Sequence, residues 1–122
     1  MRRLARYAAV GAAATAAHYA LLAVAVEAGH WPAWLASGAG ALLGAQVAFW
    51  ANRRYTFDHT GPWWPAWCRF HVTAVAGALL GMLIVNAGVQ AGWHYLLAQA
   101  AATVIVMLAS FAANRAWAFR PG

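Results

Sequence analysis

The sequence predicts an all-α integral membrane protein: four transmembrane helices built as two parallel helical-hairpin repeats, with both termini cytoplasmic. Three observations carry this. Hydrophobic residues make up 65% of the 122-residue chain and charged residues 8%, too little polar surface for a soluble domain. The apolar residues gather into four stretches of membrane-spanning length. The segment Asn52-Arg53-Arg54-Tyr55-Thr56-Phe57 returns as Asn114-Arg115-Ala116-Trp117-Ala118-Phe119, 62 positions on (114 − 52), each time as an apolar stretch ends.

The stretches run Tyr7 to Ala28, Trp34 to Ala51, Phe70 to Gln90 and Tyr95 to Ala113. At about 1.5 Å of rise per residue, each spans roughly 30 Å of hydrocarbon. They are continuously apolar rather than alternating, and a bilayer obliges each span to satisfy its own backbone, so helices are expected. The whole chain, 1–122, reads as one transmembrane domain with repeat 1 over 6–57 and repeat 2 over 69–119. Arg6-Tyr7 opens the first repeat as Arg69-Phe70 opens the second, and Gly29 pairs with Gly92, each 63 positions apart. Two spans per repeat give both repeats the same polarity, a parallel arrangement.

The first span follows Met1-Arg2-Arg3 as a signal peptide would, but it is long for a signal segment and has a counterpart in the third span, so it is expected to stay. Tyr7, Gly11, Thr15 and His18 share one of its faces. The second span carries a stripe of small residues, Ser37, Gly40, Gly44 and Ala48, beside Gln46. Between the repeats, Asp58 to Trp67 holds a glycine, two prolines and three tryptophans. It is expected to be a short cytoplasmic loop against the headgroups. The third span carries the small stripe Thr73, Gly77, Gly81 and Gly88, with Asn86 and Gln90 on one face; the fourth aligns Gln99, Thr103, Ser110 and Asn114. The small stripes let helices approach closely, within one subunit or across a homodimer.

Charge orients the chain. There is no lysine, and all eight arginines (2, 3, 6, 53, 54, 69, 115 and 120) fall at the N-terminus, the central connection or the C-terminus, while Glu27 to Ala33 and Ala91 to His94 hold none. The arginine side is therefore expected to be cytoplasmic. Trp31, Trp34 and Trp93 mark the opposite boundary, and Trp50, Trp63, Trp64, Trp67 and Trp117 the arginine boundary. Arginines confined to the ends of apolar spans are explained by topology, so a nucleic-acid partner is not expected despite the basic pI.

Chemistry is sparse. The two acidic residues, Glu27 and Asp58, sit at span ends or in the connector, so paired-carboxylate catalysis is excluded. No phosphate-binding glycine loop, metal-ligand spacing or nucleophile constellation is present, and the lone Cys68 reads as an incidental thiol. No enzyme, cofactor or metal site is expected. The polar residues inside the spans (Thr15, His18, Gln46, Asn86, Gln99 and Thr103) suggest a polar track across the membrane, or else glue between helices. For His18 the alternatives are a ligand for sugar hydroxyls, a proton carrier, or a neutral ring bonded to a neighbouring helix.

The Asn-Arg-x-aromatic-x-Phe endings, with Arg6-Tyr7 and Gly11 at the start, resemble the GtrA-like family of small four-helix membrane proteins over nearly the whole chain. The residues that carry the likeness are Asn52, Arg53, Tyr55, Thr56 and Phe57 with Asn114, Arg115, Trp117 and Phe119. The family often places Asn-Thr after the glycine, whereas Ala14-Thr15 stands here, so only Thr15 carries over. The resemblance implies translocation of a polyprenyl-phosphate-linked monosaccharide across the cytoplasmic (inner) membrane of a bacterium, for cell-envelope polysaccharide synthesis or glycosylation. Because the family also resembles the membrane domain of some polyprenyl-phosphate mannose synthases, a noncatalytic anchor for a glycosyltransferase partner is the alternative. Arginine's planar fork suits phosphate oxygens. Arg53 and Arg115 are thus expected to recruit the phosphate, helped by Arg6, Arg54 or Arg69, with Asn52 and Asn114 on the sugar or capping helix ends. The competing reading is that these arginines fix topology and bind bulk anionic lipid.

Overall fold

A computed structural model describes the backbone over 2–56 and 60–117, and the side chains within those ranges except at 3 and 110–117. Four α-helices follow in order: α1 (Arg2–Glu27), α2 (Ala33–Ala51), α3 (Trp63–Gln90) and α4 (Tyr95–Trp117), with a π-helical turn, Asn52–Thr56, extending α2. No strand occurs among the described residues. By length and composition, α1, α2 with its π turn, and α3 are each able to cross a membrane, and α4 adds an apolar described stretch, Tyr95–Ala109. Large side chains such as Leu79, Leu83, Met107 and Leu108 are exposed, which suits lipid rather than water as the surrounding solvent.

Several boundaries differ from the expectation: α4 runs on to Trp117, the π turn extends α2, and two helices start early. Helix α1 begins at Arg2 rather than Tyr7, so its basic first turns project beyond the apolar segment. The stretch expected to be a loop up to Trp67 becomes helical at Trp63, after Pro62 in extended backbone. Both prolines are compatible with this. Pro62 precedes the helix, and Pro65 falls in its first turn, where backbone N–H groups have no intrahelical acceptor to lose.

The helices pack as sequence neighbours, α1 on α2, α2 on α3 and α3 on α4. Their small residues set the spacing. A Cβ on Gly40 would meet the His18 carbonyl oxygen at 2.6 Å, and one on Gly44 would meet the Ala14 carbonyl oxygen at 3.0 Å. The stripe on α2 is thus spent on backbone contact with α1 inside the same chain. Likewise a Cβ on Gly88 would meet Ala98 at 2.8 Å, holding α3 close to α4.

Two tight turns close the far end, opposite the arginines. The α1–α2 turn is capped by the Trp31 N–H on the Ala25 carbonyl (3.0 Å), and the α3–α4 turn by the Trp93 N–H on the Gly88 carbonyl (2.9 Å). The left-handed positions are His30 (φ 57°) and Gly92 (φ 93°). Equivalent turn geometry therefore lies 62 residues apart (92 − 30), the same interval as the hexapeptides, and not at the 63 obtained by matching Gly29 with Gly92. The first turn is the longer by one residue.

Candidate functional site: a cavity beneath a closed end

The polar residues sort into three groups. On the far-end side, Ser37 Oγ donates to Gln99 Oε1 (2.5 Å), Gln99 Nε2 donates to Thr103 Oγ1 (3.2 Å), and Thr103 Oγ1 donates to the Gln99 carbonyl (2.9 Å). With its own proton committed, Thr103 accepts from the Tyr19 hydroxyl (2.8 Å). Helices α1, α2 and α4 are joined by this network. Nearer the turns, Tyr95 on α4 donates to Glu27 Oε2 on α1 (2.8 Å).

These bonds sit beside the apolar core. Leu22, Ala25 and Ala36 pack with Val26 and Tyr95; Val85, Ala98 and Ala102 pack with Ala33 and Ile84. Every one of those residues lies in the half of its helix near the two turns. That half is closed.

Toward the arginines the four helices enclose a partly open cavity of about 590 Å³, within the range of about 300–1,000 Å³ usual for small-molecule sites. It runs from Tyr7, Ala48 and Phe70, beside Arg6 and Arg69, to His18, Ser37 and Gln99. Tyr7 at the rim is 54% exposed, whereas Ser37 and Gln99 at the blind end are each 2% exposed. Room comes from short side chains: Ala41, Ala45, Ala48, Ala74 and Ala78 form much of the wall. Of the expected polar track, Thr15, His18, Gln99 and Thr103 line this cavity.

Gln46 and Asn86 lie elsewhere. Gln46 turns from the cavity to α3, where its Nε2 lies 2.5 Å from Nε2 of His71. His71 Nδ1 is 2.9 Å from the Trp67 carbonyl; a carbonyl only accepts, so Nδ1 carries the proton and Nε2 accepts from Gln46. The ring is 8% exposed and stacks on Trp67 at 3.9 Å. Asn86 faces outward on an exposed surface because its neighbour Val85 takes the buried face, and about 100° separates consecutive helical residues. His71 escaped the sequence reading. Its signal was an i, i+4 pairing with Trp67 at the start of α3, hidden by the assignment of Trp67 to a loop.

At the arginine end, Asn52 Oδ1 accepts from Thr56 Oγ1 across the π turn (2.7 Å), and Arg53 Nη2 donates to the Gly61 carbonyl (2.8 Å). Arg6 Nη1 donates to the Tyr55 carbonyl (3.1 Å), and its guanidinium lies 4.8 Å from the centroid of the Tyr55 ring. Arg6 thus pins the π turn to α1 by a hydrogen bond and a cation–π contact. Arg54 and Arg69 are exposed. The side chains of Asn114, Arg115 and Trp117, together with Phe57 and Phe119, lie outside the described residues. No group of three His, Cys, Asp or Glu among the described residues is placed to hold a metal ion.

Four of the residues quoted for the family likeness in the first half of the chain touch in pairs: Arg6 with Tyr55, and Asn52 with Thr56. No curated protein and no solved structure matches the chain. The model for the GtrA/DPMS transmembrane domain matches residues 6–119, all four helices included. The apolar helices and that match make this a multi-pass membrane protein of a family tied to glycosyl-lipid processes, and the chain belongs to the GtrA/DPMS transmembrane-domain family.

Proposed function

We propose that the protein translocates a polyprenyl-phosphate-linked monosaccharide across a bacterial cytoplasmic membrane, for cell-envelope polysaccharide synthesis or glycosylation. The observation that carries this reading is the cavity, reached from the arginine end and blind at the other. The ligand to be moved has three parts, and the chain offers a matching surface for each. Arg53, Arg115, Arg6, Arg54 and Arg69, with Asn52 and Asn114 next to two of them in sequence, suit a phosphate at headgroup depth. The cavity suits a polar head, and the exposed apolar helix faces suit a prenyl tail.

In this reading the arginine end faces the cytoplasm, as arginine-rich segments generally do, and the hairpins 6–57 and 69–119 are parallel repeats of one ancestral unit. The structure then represents the state that receives substrate from the cytoplasmic leaflet. Release requires the far-end bonds, Tyr95 to Glu27 and Tyr19 to Thr103, to part while the arginine end closes.

The test is reconstitution in liposomes with a labelled polyprenyl-phosphate sugar. Appearance of label in the opposite leaflet, reduced about 10-fold or more by Arg53→Ala with Arg115→Ala, is the expected result. Transport that survives both substitutions removes the assigned phosphate site. The DPMS half of the family description favours a second reading, a noncatalytic anchor for a polyprenyl-phosphate glycosyltransferase. An absence of transport, with co-purification of such an enzyme, selects it.

A further inference from the structure

An accounting of hydrogen bonds at the blind end of the cavity identifies which polar atoms are left for a ligand. Ser37, Gln99, Thr103 and Tyr19 satisfy one another. They tie helices together, and the hydroxyl protons of Ser37, Thr103 and Tyr19 are committed. Two groups on α1 remain. His18 Nε2 is enclosed and has no hydrogen-bond partner; the Thr15 hydroxyl lines the same cavity and makes no hydrogen bond among the described residues.

Residues 15 and 18 are three apart on a helix, so both side chains lie on one face, about one turn apart. The α2 and α3 lining of the cavity is mostly glycine and alanine, with the His18 ring edge resting against Gly40. An enclosed ring nitrogen without a partner is costly, and the fold places it on a residue that lines the cavity beside Ser37 and Gln99.

We propose that Thr15 and His18 form a subsite for sugar hydroxyls, so that the lipid-linked substrate advances with its sugar leading and its phosphate trailing toward the arginines. This rests on the function proposed above and specifies how the head group is held. Chemistry favours a neutral polyol there over the phosphate. No lining residue carries a fixed charge, and an anion moved that deep would lose its solvation without a cation to replace it. A sugar hydroxyl donates as readily as it accepts, so it satisfies Nε2 in either tautomer, while a neighbouring hydroxyl reaches Thr15. His18 lies about 18 Å along α1 from Arg6 and Thr15 about 13 Å. Long arginine side chains at the rim can therefore follow the phosphate of a sugar held at Thr15, but not one at the blind end.

Affinity separates the sugar from the phosphate. Wild-type protein in lipid nanodiscs is titrated with polyprenyl phosphate and with its glucosyl and mannosyl phosphodiesters, beside Thr15→Val, His18→Phe and the double variant. The expected result is that each single variant loses about 5- to 10-fold in affinity for a glycosylated lipid, one to two hydrogen bonds' worth, while affinity for the bare phosphate lipid stays within about 2-fold. Thr15→Val is nearly isosteric and exposed to the cavity, so it reads the subsite even where His18→Phe disturbs packing. Equal weakening of both lipids, or unchanged binding of the glycosylated ones, overturns the subsite and leaves the lipid-phosphate reading standing. A wild-type protein that binds neither lipid overturns both.

Discussion

The two halves of this bundle solve packing in opposite ways. Near the turns, alanine, valine and leucine interlock and Ser37, Gln99, Tyr19, Thr103, Tyr95 and Glu27 hydrogen-bond between helices. Toward the arginines, the same helices present mostly small residues to an unfilled volume, Gln46 bonds His71 between α2 and α3, and Arg6 and Arg53 fasten the π turn and connector at the rim. In lipid, exposed leucine carries no penalty that would pull helices together, so van der Waals fit and interhelical hydrogen bonds decide where a bundle closes. The first half has such bonds between α1, α2 and α4, whereas in the second the Gln46–His71 bond joins α2 to α3 beside an unfilled cavity, which makes the first a closed end and the second a vestibule.

The sharpest way to break that contrast is to push the closed half apart. Gly40→Leu places a side chain into the His18 backbone, and a loss of about 3 kcal/mol or more is expected in reversible unfolding from detergent micelles. Wild-type stability in that variant means the α1–α2 contact is looser than described. The complementary change fills the open half: Ala48→Leu at the rim should reduce transport in liposomes about 10-fold while shifting stability by less than about 1 kcal/mol. If stability falls instead, Ala48 is a packing residue and the vestibule is narrower than it looks.

Smaller effects refine the picture of the closed end. Tyr19→Phe removes the α1–α4 bond to Thr103 and should cost about 0.6–1 kcal/mol, the usual range for a polar contact between membrane helices. A double-mutant cycle with Thr103→Val measures the coupling, and a value near zero would release α4 from α1 at that depth. Smallest of all, Gly11→Ala meets nothing within 4 Å, and by limiting the unfolded chain it should stabilise by about 0.5 kcal/mol. A loss there would reveal a neighbour against α1 that a single subunit lacks, the second copy that a homodimer supplies.

The helices were legible because continuous apolar runs of spanning length permit little else. Arginine and tryptophan placement likewise separates the two ends before any coordinates. What escaped reading depends on rotation about helix axes. Thr15, His18, Gln99 and Thr103 share the cavity, yet Gln46, two residues from Gly44 on its wall, faces α3, and Asn86 faces outward beside buried Val85. A helix apolar all round gives no moment to orient it, so polar residues on it cannot be assigned a face from pattern alone. The early start of α3 escaped for a different reason: proline and tryptophan read as breakers, but a first turn tolerates proline because it asks for no N–H.

That early start has a practical consequence. Trp64 and Trp67 lie one turn apart on α3 with their rings stacked and nearly parallel, 5.3 Å between centroids and 6° between planes, and Trp67 continues the column onto His71. Indoles held that close couple their electronic transitions, so the column is a built-in optical gauge for the vestibule's edge. Its near-ultraviolet dichroism would change if the first turns of α3 unwound as cargo arrived, and would report that movement without a label.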